Sequence, residues 1–163
     1  MREIRWHARA GQGAKTASQI LAVALLREGK SVQAFPEYGP ERRGAPMRAY
    51  TRIDEKPIRR HDSIEHPDVV VVLEPSLLGG NVTDGLVPGG LLLANSNEPV
   101  DGAVTVAASG RSTNLVMLGA LAGVLGEPSL EHLTEAAQEV LGKKADPAAL
   151  RAALEEGAAC ASA

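Results

Sequence analysis

A chain of 163 residues, 44% hydrophobic but only 2% aromatic, is long enough to bury most of the surface its unfolded state exposes, so the sequence predicts a single domain over residues 1–163 around an aliphatic core. A net charge of -3 argues against nucleic-acid binding by bulk positive charge, and no apolar run approaches the roughly 18 to 20 residues that a membrane helix needs. The single cysteine, Cys160, rules out an internal disulfide and a cysteine-ligated cluster, and the chain reads as soluble and cytoplasmic, with no membrane partner.

The first element is "IRWHA", whose alternation from Ile4 to Ala8 has the period of a half-buried strand. After "RAGQGAKT" the pattern shifts to helical spacing from Ala17, with Ile20, Leu21, Ala24 and Leu25 on one face and Gly29 as a stop. "SVQAF" reads as the next strand. Then come eleven residues rich in proline and glycine, "PEYGPERRGAP", longer than the usual connection of about 4 to 6 residues. They lead into "MRAYTRI", which places Met47, Ala49, Thr51 and Ile53 on one face and Arg48, Tyr50 and Arg52 on the other.

"VVVVL" at 69–73 is a continuous β-branched run, the mark of a strand buried on both faces. "GGLLLAN" and "AVTVAA" supply two more strands, and the remainder is helical. "STNLVMLGALAGVL" is followed by "SLEHLTEAAQEVL" with Ser129 as N-cap, then by "PAALRAALEE" with Pro147 in the first helical position. Strands alternating with helices and ending in helices give an α/β fold of three layers, with a mostly parallel or mixed sheet flanked by helices.

Two stretches carry chemistry. "AGQGAKT" fails the dinucleotide fingerprint because the sixth residue from Gly11 is Thr16, and it fails the phosphate loop of nucleotide hydrolases because Ala14 and Arg9 stand where glycines are required. Two flexible residues between a strand end and a helix start nevertheless favour an anion at the free N–H groups, with Lys15 and Thr16 in reach. A turn that uses glycine only to change direction is the competing reading.

In the long loop, prolines 36, 40 and 46 restrict the backbone and Gly39 and Gly44 permit positive φ. Arg42 and Arg43 then stand on a stiffened segment, where a guanidinium can meet a phosphate or carboxylate as a planar fork. Pairing of Arg42 or Arg43 with Glu37 or Glu41 is the alternative. From Arg42 to Arg60, seven bases face only Asp54 and Glu55, a local balance of +5, whereas from Glu127 onward the balance is -4. His7, His61, His66 and His132 lack metal spacing, and no metal site is expected. Ser112 and Thr113, at a helix start, read as caps.

Together, "GQGAKTASQILAVALLREGKSVQAFPEYGPERRGAPMRAYTRI", "IEHPDVVVVLEPSLL", "VPGGLLLANS" and "NLVMLGALAGVL" resemble the gamma subunit, or gamma domain, of the 2-oxoacid:ferredoxin oxidoreductases, which act on pyruvate, 2-oxoglutarate or ketoisovalerate. The family pattern usually has two glycines before the glutamine, where this chain has Ala10 then Gly11.

The resemblance implies a heteromeric enzyme that oxidatively decarboxylates a 2-oxoacid to acyl-CoA and CO2 and passes electrons to ferredoxin. Thiamine diphosphate, its magnesium and the iron–sulfur clusters would lie on partner chains: a thiamine-binding subunit, an alpha-type subunit and a ferredoxin-like iron–sulfur subunit. This chain would contribute assembly and coenzyme A handling without catalytic residues of its own. Contacts to coenzyme A map by similarity to Gly11, Gln12, Gly13, Lys15, Thr16, Arg42 and Arg43, with Asn114 as a further candidate. A free-standing transferase that binds an anion or nucleotide, and a pure interaction scaffold, are the alternatives.

Overall fold

A computed structural model of the chain describes residues 1–37 and 42–162; Gly39, Pro40 and Glu41, which figured in the reading of the long loop, lie outside the described residues together with Tyr38 and Ala163. The strands are β1 (Arg2–Arg9), β2 (Ser31–Pro36), β3 (Pro46–Asp54), β4 (Val69–Val72), β5 (Leu91–Asn95) and β6 (Ala103–Val106). The helices are α1 (Ala14–Arg27), α2 (Thr113–Leu125), α3 (Leu130–Leu141) and α4 (Pro147–Ala161).

The strands form one mixed sheet in the order β2-β3-β1-β4-β5-β6. β1, β4, β5 and β6 run parallel, and β3 is antiparallel to both β1 and β2. β2 is therefore parallel to β1 but one strand removed. Helix α1 crosses over to reach it, and β3 returns as a hairpin arm into the gap.

Period-2 patterning decides which face each strand residue joins. Ile4, Trp6 and Ala8 of β1, with Val69, Val71 and Leu93, belong to one large cluster that includes buried residues of all four helices. Val70, Val72 and Leu92 point the other way and pack with Val82 and the partly buried Leu77, Leu78 and Leu86. β4 is thus buried on both faces, as its β-branched run predicts. The flanking helices all pack on one face, and the third layer is irregular chain from residues 55–68 and 74–90. Glycine at 79, 80, 85, 89 and 90 makes a helix there unfavourable.

On that irregular side β1 carries two buried polar residues. The Arg5 guanidinium donates to the carbonyls of Ile64, Glu65, Val82 and Asp84, and its Nε donates to His7 Nε2 at 3.0 Å. Both covering loops are therefore pinned to the sheet by one side chain. Burial, followed by the positive charges of Arg5 and Arg48, lowers the His7 pKa to about 4.

The basic stretch from Arg42 to Arg60 is not uniformly available to a ligand. Arg52 is fully buried, donating to Glu3 at 2.7 Å, Gln33 Oε1 at 2.9 Å and the Asp62 carbonyl at 2.7 Å. Arg60 pairs with Asp62. The strand alternation sets Arg52 with Arg48 and Tyr50 on one face, but the Arg52 end of that face is covered by the chain around Asp62, and a buried guanidinium must be paired.

Element boundaries follow local chemistry. Ser129 caps α3 by accepting from the His132 N–H at 3.2 Å, and Pro147 opens α4 behind the Asp146 cap. Ser112 occupies the N-cap position of α2 but makes no side-chain cap bond, while the Thr113 hydroxyl donates to the Gly110 carbonyl at 2.9 Å. α1 begins at Ala14, three residues before the expected Ala17, because Gly13 in the left-handed region takes the N-cap position without a capping side chain.

Candidate functional site

The carboxyl ends of parallel strands gather their following loops at one edge of a sheet, where ligands of open α/β folds usually bind. Here β1 ends at Arg9 and runs into the glycine turn. Because β3 is antiparallel, its first residue, Pro46, is the register partner of Arg9. The long β2–β3 loop is therefore brought beside the glycine turn by the strand order itself. The Ala10 N–H donates to the Ala45 carbonyl at 2.9 Å and joins the two segments directly.

Between them lies a cleft of about 560 Å³. Arg9, Lys15, Arg42 and Arg48 line it with positive charge, and among the described residues Glu37 is its one acidic wall residue. Glu37 accepts from the Tyr50 hydroxyl at 3.2 Å and lies 3.9 Å from Arg48. That leaves a surplus of cations facing the same space. The floor adds backbone donors. The first intrahelical bond of α1 runs from the Ala17 N–H to the Gly13 carbonyl at 2.9 Å, so the N–H groups of Ala14, Lys15 and Thr16 precede the helical ladder. The first turn of α1 contains no acidic residue to occupy them.

Two glycines make this geometry possible. Gly11 and Gly13 have φ of 95° and 83°, where any side chain carries strain. At Gly13 the space is also closed, since a Cβ would lie 2.5 Å from Asn114 Nδ2. Asn114, in the first turn of α2, donates to the Gly13 carbonyl at 3.4 Å.

The structure brings Gly11, Gly13, Lys15, Thr16 and Arg42 together around the cleft. Gln12 points away from it, accepting from the Arg9 N–H at 2.7 Å and donating to Glu74 at 2.5 Å. Asn114 packs behind the turn. Arg43 is exposed beside the cleft and is not part of its lining. Glu37, an alternative partner for the loop arginines, is engaged with Tyr50 and Arg48.

Three contributors were not singled out from the sequence. Arg9 ends β1 and donates to the Gly44 carbonyl and to Ser76 Oγ, each at 3.1 Å. Arg48 lies on the face of β3 that turns toward Glu37. Glu74, immediately after β4, accepts from the Ser76 N–H at 3.2 Å as well as from Gln12. Burial raises the Glu74 pKa, but hydrogen bonds from Gln12 and Ser76 and the charge of Arg9 outweigh it, and the net shift is downward. The alternating strand pattern could have marked Arg9 as the residue at the mouth of the turn. The roles of Arg48 and Glu74 depend on register.

The cleft can therefore accept a multiply charged anion, with planar guanidinium forks on one wall and helix N–H groups on the other. Among the described residues there is no group of three or more His, Cys, Asp or Glu side chains able to hold a metal, and no helix is long and apolar enough to cross a membrane.

Over residues 3–160 the sequence matches the pyruvate ferredoxin/flavodoxin oxidoreductase family. It is 43% identical to the pyruvate synthase subunit PorC of Thermotoga maritima, covering 94% of this chain and 93% of that protein. The crystal structure of that subunit superimposes with a TM-score of 0.83 and 39% identity, covering 97% of this chain and 95% of the other. The sequence is 46% identical to the pyruvate/ketoisovalerate oxidoreductases common subunit gamma of Thermococcus kodakarensis, covering 88% and 91% of the two chains. The fold recurs, at a TM-score of 0.80 and 24% identity, in the 2-oxoglutarate:ferredoxin oxidoreductase of Magnetococcus marinus, solved with 2-oxoglutarate, coenzyme A and succinyl-CoA bound. There the match covers 99% of this chain and 31% of the longer one.

Proposed function

We propose, from the premise that this chain belongs to the pyruvate ferredoxin/flavodoxin oxidoreductase family and is a gamma subunit of a 2-oxoacid:ferredoxin oxidoreductase, that its cationic cleft holds the phosphate groups of coenzyme A. The observation that carries this reading is the convergence of Arg9, Lys15, Arg42 and Arg48 on one space beside the uncapped start of α1. A diphosphate with a further phosphate monoester is the kind of ligand that such a surplus of cations selects. The Magnetococcus marinus enzyme, which shares the fold, binds coenzyme A.

In this reading Lys15 and Arg42 neutralise phosphate oxygens, and the N–H groups of Ala14, Lys15 and Thr16 donate to them. Gly11 and Gly13 let the backbone approach closely, and Arg43 at the rim meets either the ligand or a neighbouring subunit. Coenzyme A supplies the thiol that accepts the acyl group. The chain's own part is to bind and orient it, while oxidative decarboxylation and electron transfer to ferredoxin belong to thiamine diphosphate, magnesium and iron–sulfur clusters on partner subunits. The assembly is a cytoplasmic hetero-oligomer that includes thiamine-binding, alpha-type and ferredoxin-like chains.

The test is to tag the chain in its own cells, purify it gently without oxygen and identify what accompanies it. A thiamine-binding chain and a cysteine-rich cluster protein in fixed proportion are expected. A chain recovered without a thiamine-binding or cluster-bearing partner would overturn this assignment of partners.

A further inference from the structure

We propose that Gln12 and Glu74 are positioning residues for the anion cleft: their hydrogen bond crosses the crevice between β1 and β4 and holds the glycine turn in the shape that presents the α1 N–H groups. The inference rests on the reading of the cleft as the coenzyme A site, and extends it to side chains that do not face the ligand.

β1 and β4 are parallel neighbours, and the chain leaves them in opposite directions, from β1 toward β2 and from β4 toward β5. Such a point ordinarily leaves an open crevice for ligands. Here it is bridged. Gln12 Nε2 donates to Glu74 Oε2 at 2.5 Å, and Glu74 Oε1 accepts from the Ser76 N–H at 3.2 Å, which fixes the carboxylate at the head of a one-turn 3-10 helix, Pro75–Leu77. On its other side Gln12 Oε1 accepts from the Arg9 N–H at 2.7 Å, and the Arg9 guanidinium reaches Ser76 Oγ at 3.1 Å. The four residues close a ring across the crevice. The open volume is then on the β3 side of β1, where the cleft is lined by Arg9, Lys15, Arg42 and Arg48.

The chemistry of the ring specifies its members. A side chain at position 12 must accept from a backbone N–H and donate to a carboxylate, and an amide of this length does both. Its place in the turn explains why it is needed. Gln12 lies between Gly11 and Gly13, both at positive φ, and glycine on each side leaves the backbone with more accessible conformations than any other pair would. The Gln12 side chain anchors the middle of that segment. Releasing it would let the N–H groups at the head of α1 wander from the geometry that a phosphate needs, without removing any group that touches the phosphate.

The experiment uses the assembled enzyme with Gln12→Glu, Glu74→Gln and the two substitutions combined. Each single change disrupts the ring, the first by setting two carboxylates against each other and the second by setting an amide donor against the Gln12 amide or the Ser76 N–H. The combination exchanges donor and acceptor and restores every hydrogen bond. The single variants should raise the KM for coenzyme A about tenfold or more, as expected for misplaced binding groups. The KM for the 2-oxoacid should stay constant, and the combined variant should return the coenzyme A value to within about threefold of the parent.

A single variant that assembles with an unchanged KM for coenzyme A would overturn the proposal, as would a combined variant that shows no recovery. If Gln12→Glu fails to assemble, Glu74→Gln and the combination decide the question alone. Lys15→Ala separates the two levels. A raised KM there with no effect of Glu74→Gln removes only the positioning role, whereas an unchanged KM in both removes the cleft as the coenzyme A site and this inference with it.

Discussion

The Arg9 guanidinium donates to the Gly44 carbonyl at 3.1 Å, joining the end of β1 to the far arm of the β2–β3 loop. With the bond from the Ala10 N–H to the Ala45 carbonyl, it makes the glycine turn and the loop arginines parts of one wall. The segments that carry the cleft's cations are thus held together by strand pairing and hydrogen bonds, and a pre-assembled wall binds with less ordering cost.

Arg42 and Arg43 separate on this basis. Arg42 lines the cleft, whereas Arg43 is exposed beside it. Losing a charge-assisted hydrogen bond is worth about 1.5–3 kcal/mol, so Arg42→Ala should raise the KM for coenzyme A by roughly ten- to hundredfold. Arg43→Ala decides the role of the rim arginine: a change of less than about threefold assigns it to a neighbouring subunit, and a rise comparable with that of Arg42→Ala assigns it to the ligand. Steady-state kinetics of the assembled enzyme at varied coenzyme A check both.

Gly13→Ala should harm both stability and binding. Its φ of 83° puts alanine in a strained region, and the new Cβ would lie 2.5 Å from Asn114 Nδ2. Gly11→Ala meets the strain alone, since nothing lies within 4 Å of its Cβ. Expected losses are about 1–2 kcal/mol at Gly11 and about 2–4 kcal/mol at Gly13. Urea unfolding of the two variants compares them.

The helical layer has its own close approach. A Cβ at Gly157 in α4 would overlap the Val116 carbonyl of α2, and one at Gly119 would overlap the Leu154 carbonyl. Alanine gains about 1 kcal/mol of helix propensity over glycine. The obstacle here is backbone, however, which cannot rotate aside, so overpacking of about 1–3 kcal/mol or more should prevail. Gly157→Ala should lower the melting temperature, and a variant at least as stable as the parent would show that the helices separate at little cost.

His7 gives the fold a pH dependence of definite sign. Its pKa falls from the ordinary 6.5 to about 4 through burial and the charges of Arg5 and Arg48. Above pH 6.5 both folded and unfolded states hold it neutral, so it contributes no slope. As pH falls from about 6.5 to about 4 the unfolded chain binds the proton and the folded chain does not, and stability declines by up to about 1.4 kcal/mol per pH unit. His7→Gln keeps an acceptor for the Arg5 Nε–H and removes the titration. Its unfolding free energy should be flatter than that of the parent across that window.

Much of this was legible in the sequence, and the reasons differ by element. Val69–Val72 announced a doubly buried strand because β-branched residues without alternation have few other uses. Ser129 and Pro147 announced helix starts through their own side chains. The start of α1 was hidden because Gly13 leaves no capping signature, so Lys15 and Thr16 appeared as turn residues when they form the first helical turn. The antiparallel β3 that brings the long loop beside the glycine turn, and with it the parts played by Arg9, Arg48 and Glu74, needed the register. The burial of Arg52 needed the irregular layer above it, which carries no periodic signal.

The central claim is that the cleft between the glycine turn and the β2–β3 loop binds coenzyme A. Calorimetric titration of coenzyme A into the assembled enzyme, parent against Lys15→Ala/Arg42→Ala, tests it most directly. The double variant should bind at least about a hundredfold more weakly, the loss of two charge-assisted contacts, with subunit composition unchanged. Equal affinity in the two assembled enzymes would contradict the claim and place the coenzyme A phosphates elsewhere in the complex.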